Sequence, residues 1–300
     1  MSNDLTVAFI GAGRVAAVLG PAMGSAGWDV RYIASRSSHS AESVASSIPG
    51  AVAVPMQQAA SGADLVFLTT NDNSIEGVAR SLSWRGGQCV VHCSGATSLS
   101  PLQAPSDAGG VVGSWHPYQT FGSERLETSL HGLTFGIEAA DPLYGLLSRI
   151  TESLGGFSLR VPAESRVLYH ASSVFACGYL ATLIHEATVL WRRAGLDPDL
   201  AMEAIGHIAE VTLKNIRARG TSASLTGPTS RGDIGTVRMH IEHIESRAPE
   251  LLGLYRSLTE RSLELAKSGG RPGTELDWSF LAAPNSTAAS EKTTEKDQGS

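Results

Sequence analysis

Cysteine is scarce in this chain: it has three, Cys89, Cys93 and Cys177. Three thiols cannot build a disulfide framework, so reduced thiols are expected. Aromatic residues make up only 6%, which leans away from a β-sandwich. A basic surplus is missing as well. The 23 Lys and Arg face 29 Asp and Glu, and a net charge of −6 argues against a nucleic-acid footprint. The N-terminus, MSNDLTVAFIGAGR, has no basic segment and reaches a glycine turn after a short apolar run, so no signal peptide is expected. No uninterrupted apolar stretch nears the roughly 20 residues that span a bilayer. The expectation is a cytoplasmic protein with neither a membrane nor a nucleic-acid partner. Cys89, His92 and Cys93 share a short segment, but their spacing on a strand splits them between faces, so no metal is expected.

What remains is ample for a core. The chain has 300 residues, 42% hydrophobic, with 32 glycines, and that length suggests two domains. The first half alternates short apolar runs with helical segments. Strands are predicted at residues 5–10, 30–34, 51–54, 64–69, 88–92, 111–114, 134–138 and 157–161. Helices are predicted at 11–26, 41–47, 74–82 and 141–154. Strands apolar on both faces, alternating with helices, imply a parallel sheet covered on both sides. From residue 164 to about 267 the pattern becomes helical, with almost no strand signal. Helices are predicted at 164–194, 198–219, 234–246 and 249–267, and 221–232 reads as a loop. The expected division is a first domain over 1–162, a helical domain over 163–270 and a disordered tail over 284–300. The tail has no aliphatic side chain larger than Ala.

The sharpest motif is Gly11-Ala12-Gly13-Arg14-Val15-Ala16, a GxGxxA turn between a strand and a helix. Its first glycine permits the tight turn, and its second lets the backbone approach a pyrophosphate at the helix N-terminus. The fold class is therefore α/β: an N-terminal Rossmann-type parallel sheet domain followed by an all-α C-terminal domain. NAD sites carry an acid about 20 residues past the glycines. Here the second strand ends in Ser35-Arg36-Ser37, with no acid. Arg36 and its flanking serines suit a 2′-phosphate, so NADP is the expected cofactor, with Arg14 adding charge. Thr69-Thr70-Asn71 and Ser94-Gly95 follow later strands at the carboxyl edge, where ligands bind in open α/β sheets.

These features resemble the 6-phosphogluconate dehydrogenase-like superfamily, which includes ketopantoate reductases and pyrroline-5-carboxylate reductases. Two strings narrow the likeness. His116-Pro117-Tyr118-Gln119-Thr120-Phe121 resembles the HPLQTF motif of Rossmann-like proteins with a DUF2520 C-terminal domain. Leu225-Thr226-Gly227-Pro228-Thr229-Ser230-Arg231-Gly232-Asp233, followed by Thr236-Val237 and His240, resembles that family's LTGPxxRGD…TV…H signature. The resemblance runs from residue 5 to about 267. It implies an NADP-dependent oxidoreductase, a homodimer with interlocked helical domains, and a small carboxylate-bearing substrate held between the domains. Ketopantoate is the leading substrate expectation. The alternatives are an imine reductase acting on a pyrroline-5-carboxylate-like compound and an NADP-binding sensor without turnover. One departure stands out: where the family pattern reads VFASNYL, this chain has Gly178 in place of the Asn.

A reductase needs a donor to polarise the accepting carbonyl or imine. Many relatives in the superfamily use a Lys on the first interdomain helix, and residues 164–194 contain none. His116, at a strand end before a proline, is the first candidate, as a residue that titrates near neutrality. Its other reading is a strand-end cap. His170, Ser173 and Cys177 form one helix stripe at i, i+3, i+7, which either holds substrate or packs small residues. Asn215 matches the family pattern, whereas Lys214 reads as solvated. Glu203, His207, Glu210 and Lys214 read as a charged helix face. In Thr226–Asp233, the helix entry at Gly227-Pro228 with its backbone N–H groups, the hydroxyls of Thr226, Thr229 and Ser230, and the Arg231 guanidinium suit a carboxylate. Arg231 and Asp233 can equally form an ion pair and helix cap, and His240 shares their helix face.

Overall fold

The structure is a computed structural model that describes residues 5–122, 130–271 and 274–282. The expected disordered tail, 284–300, lies outside the described residues. Contacts divide the chain into two compact units, 1–179 and 180–300.

The first unit is built on an eight-stranded sheet. In chain order it comprises β1 (Thr6–Ile10), α1 (Arg14–Ser25), β2 (Asp29–Ala34), α2 (Ser38–Ala45), β3 (Val52–Ala53), α3 (Met56–Gly62), β4 (Leu65–Leu68), α4 (Ile75–Ser81), β5 (Cys89–His92), α5 (Gln103–Asp107), β6 (Val111–Pro117), β7 (Thr134–Ala139), α6 (Leu143–Ser153), β8 (Phe157–Arg160) and α7 (Arg166–Val174). The strand order is β3-β2-β1-β4-β5-β6-β7-β8. Strands β1 to β6 are mutually parallel, β7 runs antiparallel to β6, and β8 is parallel to β7. The sheet is thus mostly parallel, as expected, with two reversed strands at one edge. The apolar runs behave as predicted: every residue of β4 is buried, and so are Val7 to Ile10 of β1. On one face Phe9, Phe67, Trp115 and Phe135 form a continuous row of rings 4.5–5.2 Å apart. Small residues (Ala8, Ala34, Ala59, Ala60 and Ala63) fill the other face. Helices α3 and α5 had no counterpart in the sequence reading. Both are short and alanine-, glutamine- or proline-containing, with too few turns to display a period.

The predicted helix 164–194 is interrupted. After α7 comes a π-helical turn, Phe175–Tyr179, containing Gly178, and then α8 (Leu180–Arg193). The whole run Ala163–Arg193 is long and apolar enough, by length and composition, to cross a membrane. Ser, His and Thr break up its apolar residues, so no uninterrupted stretch shows in the sequence. Its first half is bound to the sheet through Arg166.

The second unit continues with α9 (Ala201–Arg219), α10 (Thr221–Ser224), α11 (Pro228–Arg231), α12 (Ile234–Arg247) and α13 (Leu252–Ser268). Gly220, at φ +79, closes α9 as predicted. The expected loop 221–232 holds two one-turn helices, because Pro228 presets the first turn of α11 and Gly232, in the left-handed region, ends it. Val237, Ile241 and Leu263 form a small core with Leu281, which lies beyond α13.

Candidate active site

The strand order turns between β1 and β4, and ligands of open α/β sheets bind at the carboxyl ends flanking such a switch. A cleft of about 520 Å³ lies there, lined by Gly11, Gly13, Ser35, Arg36, Ser37 and Thr70 among others. Gly11 has φ +112, and a Cβ on it would lie 2.6 Å from the backbone of Thr69 and Thr70. No other residue fits that position. The Thr69 hydroxyl donates to the Gly11 carbonyl at 2.7 Å, which closes the turn against the next strand. The neighbouring Thr70 Oγ1 is buried with no hydrogen-bond partner among the described residues. An orphaned hydroxyl in a cleft wall is a group awaiting a ligand.

At the end of β2, Ser37 caps α2 by accepting from the Ser40 amide at 3.2 Å. Arg36 is exposed and makes no ion pair among the described residues, so its guanidinium is available to an anion. Ser40, Met56, Ser74, Gly77 and Val78 complete the wall; the sequence reading missed them because they sit in helical turns away from the glycine motif. Ala12 and Asn71 line the cleft as expected, while Val15 packs against the core instead. Arg14 is not among the residues that line the cleft. Its guanidinium donates to the Phe121 carbonyl at 3.1 Å and ties the start of α1 to the HPYQTF segment.

A second cluster forms where α7 lies along β6. Helix positions i, i+3 and i+6 meet alternate strand positions. Arg166 meets Ser114, Tyr169 meets His116, and Ser172 meets Tyr118. The face turned to the strand is therefore Arg166–Tyr169–Ser172, rather than the stripe His170–Ser173–Cys177. Ser173 donates back to the His170 carbonyl, and Cys177 is exposed within the π turn, which shifts the helical phase. His170 still contributes, with its ring 6.0 Å from that of His116.

Arg166 anchors this arrangement. It is 2% exposed and contacts Glu138 at 2.6 Å. It also donates to Ser114 Oγ and to the carbonyls of Ser94 and Gly95. The Ser94 hydroxyl donates to Asp72 at 2.7 Å, so this side chain organises the post-β5 loop and does not line the cleft. A Cβ on Gly95 would lie 2.6 Å from His170 and 2.7 Å from His116 Nε2, so the loop backbone presses directly on both rings.

Burial, with His170 and the Arg166 charge nearby, lowers the His116 pKa to about 4. At neutral pH the ring is therefore uncharged. That revises the expected chemistry: His116 offers a hydrogen bond, not an acidic proton. His92 is lowered to about 4 as well, mainly by burial. Among the described residues no group of His, Cys, Asp and Glu could hold a metal ion.

The remaining candidates belong to the second unit. Asn215, on α9, is partly buried and has no hydrogen-bond partner among the described residues, whereas Lys214 is exposed. Glu203, His207 and Glu210 are exposed, as a solvated face requires. Asp233 caps α12, accepting from the Thr236 amide at 3.1 Å and from its hydroxyl at 2.7 Å. Those bonds, with Arg231 and His240 nearby, lower its pKa. His240 pairs with Tyr255 at 2.8 Å. Thr226, Gly227 and Pro228 form the entry to α11, with Gly227 at φ +104.

Two family models match the chain: a Rossmann-like domain over residues 1–117 and a domain of unknown function, DUF2520, over residues 133–262. This chain joins a Rossmann-like domain to a DUF2520 domain. The DUF2520 match begins at β7, so it takes in the two reversed strands as well as the helices. No curated protein matches the chain. A solved Thermotoga maritima protein shares 26% identity at a TM-score of 0.72, over 88% of this chain and 100% of that one. A 1-pyrroline-5-carboxylate reductase from Streptococcus pyogenes shares 17% identity at 0.61, over 89% of this chain and 100% of that one. A reductive aminase from Aspergillus terreus, in complex with NADPH and ethyl levulinate, shares 16% at 0.59, over 92% and 98%. The last two likenesses concern the fold, which agrees with the superfamily resemblance in the sequence.

Proposed function

We propose that the chain is an NADPH-dependent oxidoreductase that reduces a small, carboxylate-bearing imine or carbonyl compound. The observation that carries this reading is the cleft at the β1–β4 switch. There Gly11 closes a pyrophosphate turn, the unpaired Arg36 stands beside Ser35, Ser37 and Ser40, and Thr70 Oγ1 lacks a partner. These groups fit NADP: Gly11 to Gly13 for the pyrophosphate, and Arg36 with the serines for the 2′-phosphate. When bound, the cofactor supplies a hydride. The fold neighbours, a 1-pyrroline-5-carboxylate reductase and a reductive aminase in complex with NADPH, support the same class.

Between the two substrate classes, the neutral His116 favours the imine. An iminium ion arrives already protonated and needs only hydride, which leaves the neutral ring to donate to another acceptor of the substrate, such as its carboxylate. A ketone such as ketopantoate also needs a proton, which an imidazole with a pKa of about 4 does not hold at neutral pH. Arg231 and the entry to α11 are candidate carboxylate contacts, and Asn215 a candidate polar contact. Asp233, whose oxygens are occupied by Thr236, acts as a helix cap. We propose further that the protein is a homodimer, because Met202, Ile208, Val211 and Leu213 of α9 are exposed. Free thiols and an NADPH requirement fit a cytoplasmic location.

The test is NADPH consumption by the purified chain with a cyclic imino acid and with ketopantoate, run beside NADH. We expect faster turnover of the imino acid and a preference for NADPH. Arg36→Ala should weaken NADPH binding about 10- to 100-fold and leave NADH binding unchanged. Equal binding of the two cofactors by the wild-type chain would remove the 2′-phosphate assignment. Tight NADPH binding without turnover of any imine or carbonyl would favour the sensor.

A further inference from the structure

We infer that Tyr169 is a positioning residue for His116: it holds the imidazole in the tautomer with hydrogen on Nε2 and so makes that nitrogen a fixed donor. This rests on the reductase reading, in which His116 donates to an acceptor of the substrate.

The assignment follows from the sheet register. His116 of β6 pairs with Gly136 of β7, and Tyr169 lies over that rung. A Cβ on Gly136 would collide with the Tyr169 hydroxyl, so the glycine lets the phenol sit directly on strand backbone. Burial keeps the Tyr169 pKa up at about 12, so the phenol stays protonated and its hydrogen needs an acceptor. Among the described residues, the acceptor it reaches is His116 Nδ1, at 2.9 Å. With Nδ1 accepting, the single hydrogen of the neutral ring resides on Nε2.

A comparison with His92 shows what is particular to this ring. The Ser94 amide donates to His92 Nδ1 at 3.2 Å, which also leaves the hydrogen on Nε2. In His92 that hydrogen is consumed by the Ser98 carbonyl at 3.1 Å. His116 Nε2 has no hydrogen-bond partner among the described residues, and the Gly95 backbone leaves no side chain in front of it. The ring is held by Tyr169, Tyr118 and His170, with centroids 5.5, 6.4 and 6.0 Å away. The charged and titratable groups around it are Arg166, Tyr169 and His170 from α7, Tyr118 beyond β6, Asp72 beyond β4 and His92 of β5. One buried histidine is structural, and the other keeps a free donor.

The experiment is long-range ¹H–¹⁵N correlation of the imidazole rings in the full-length protein at pH 7.5, with His116 assigned by His116→Gln. The expected spectrum shows a bare Nδ1 and a protonated Nε2. Tyr169→Phe should move the tautomer ratio toward Nδ1–H by about tenfold, the worth of one hydrogen bond. Tyr118→Phe, which removes the hydroxyl bonded to Ser172, should leave the ratio unchanged. A protonated Nδ1 in the wild-type protein, or an unchanged ratio in Tyr169→Phe, would overturn the assignment. If Tyr169→Phe does not fold, the wild-type spectrum still decides. With an imino-acid substrate, Tyr169→Phe should lower kcat by up to about tenfold, in step with the tautomer ratio, with KM nearly constant. A wild-type chain with the expected tautomer but no turnover would strike the reductase reading and leave the ring's positioning intact.

Discussion

The two units bury their apolar side chains in opposite ways. In the first, ring stacks and small residues cover the central strands β1, β4 and β5, and even an arginine is taken into the interior, while large apolar side chains of β3, β8 and α7 stay exposed. In the second, α8 contributes no buried residue and α9 only Ala201, while large apolar side chains stand exposed along α9. A sheet satisfies its backbone internally and presents two faces that nearby helices can cover. A set of helices has to find cover from other helices, and α8 and α9 lack it within their own unit. The first unit covers its central strands itself, and the second leaves much of α8 and α9 uncovered.

The strongest way to break this contrast is to open the interior of the first unit. Arg166→Met leaves the largely covered Glu138, Ser114 and two loop carbonyls without their partner and should cost about 2–3 kcal/mol in denaturant unfolding. Changing Glu138→Leu as well should recover most of that loss. If the single change is tolerated within ~1 kcal/mol, Arg166 is not the anchor. Next in size is the exposed face of α9. Ile208→Glu should convert a dimer into monomers by sedimentation without altering NADPH binding. A wild-type chain that sediments as a monomer at micromolar concentration would remove the dimer proposal, and association with lipid vesicles would point to a membrane as the cover.

A smaller effect concerns pH. His92 and His116 have folded pKa values near 4, below the ordinary 6.5, so the unfolded chain binds protons that the native one does not. Stability should be fully present above about pH 6.5 and fall as pH drops towards 4, with a slope of at most ~1.4 kcal/mol per pH unit per histidine. A flat profile in that window, by urea unfolding at several pH values, would show that neither ring is held neutral. The smallest expected change is Asp233→Ala, which removes the α12 cap and should lower Tm slightly in the second unit alone. An effect on NADPH binding would mean that Asp233 does more than cap a helix.

Much of the scaffold was legible in the sequence, since it rests on local signals. Apolar runs marked the strands, GxGxxA marked the pyrophosphate turn, and Ser35-Arg36-Ser37 marked the anion end of the cleft. Gly220 and Asp233 carry their helix-end roles in their own chemistry. The second cluster was only partly legible. His116 stood out in its motif, but its neighbour Tyr169 had no local signal. The stripe chosen on that helix was one residue out of phase with the face that meets the strand. Arg166 looked like any arginine near a helix start, although it proved to be among the largest fully buried side chains.

By itself, the sequence determined the alternation of strand and helix, the change to an all-helical pattern, and the glycine turn with its basic end. Each depends on the period of apolar residues or on a backbone conformation open to glycine alone. Only the tertiary structure decided that β7 reverses direction, that Gly136 comes opposite His116, and that Tyr169 settles on that rung. His116 and Tyr169 are 53 positions apart, so their bond is a product of sheet register and helix packing, which no short stretch of sequence encodes.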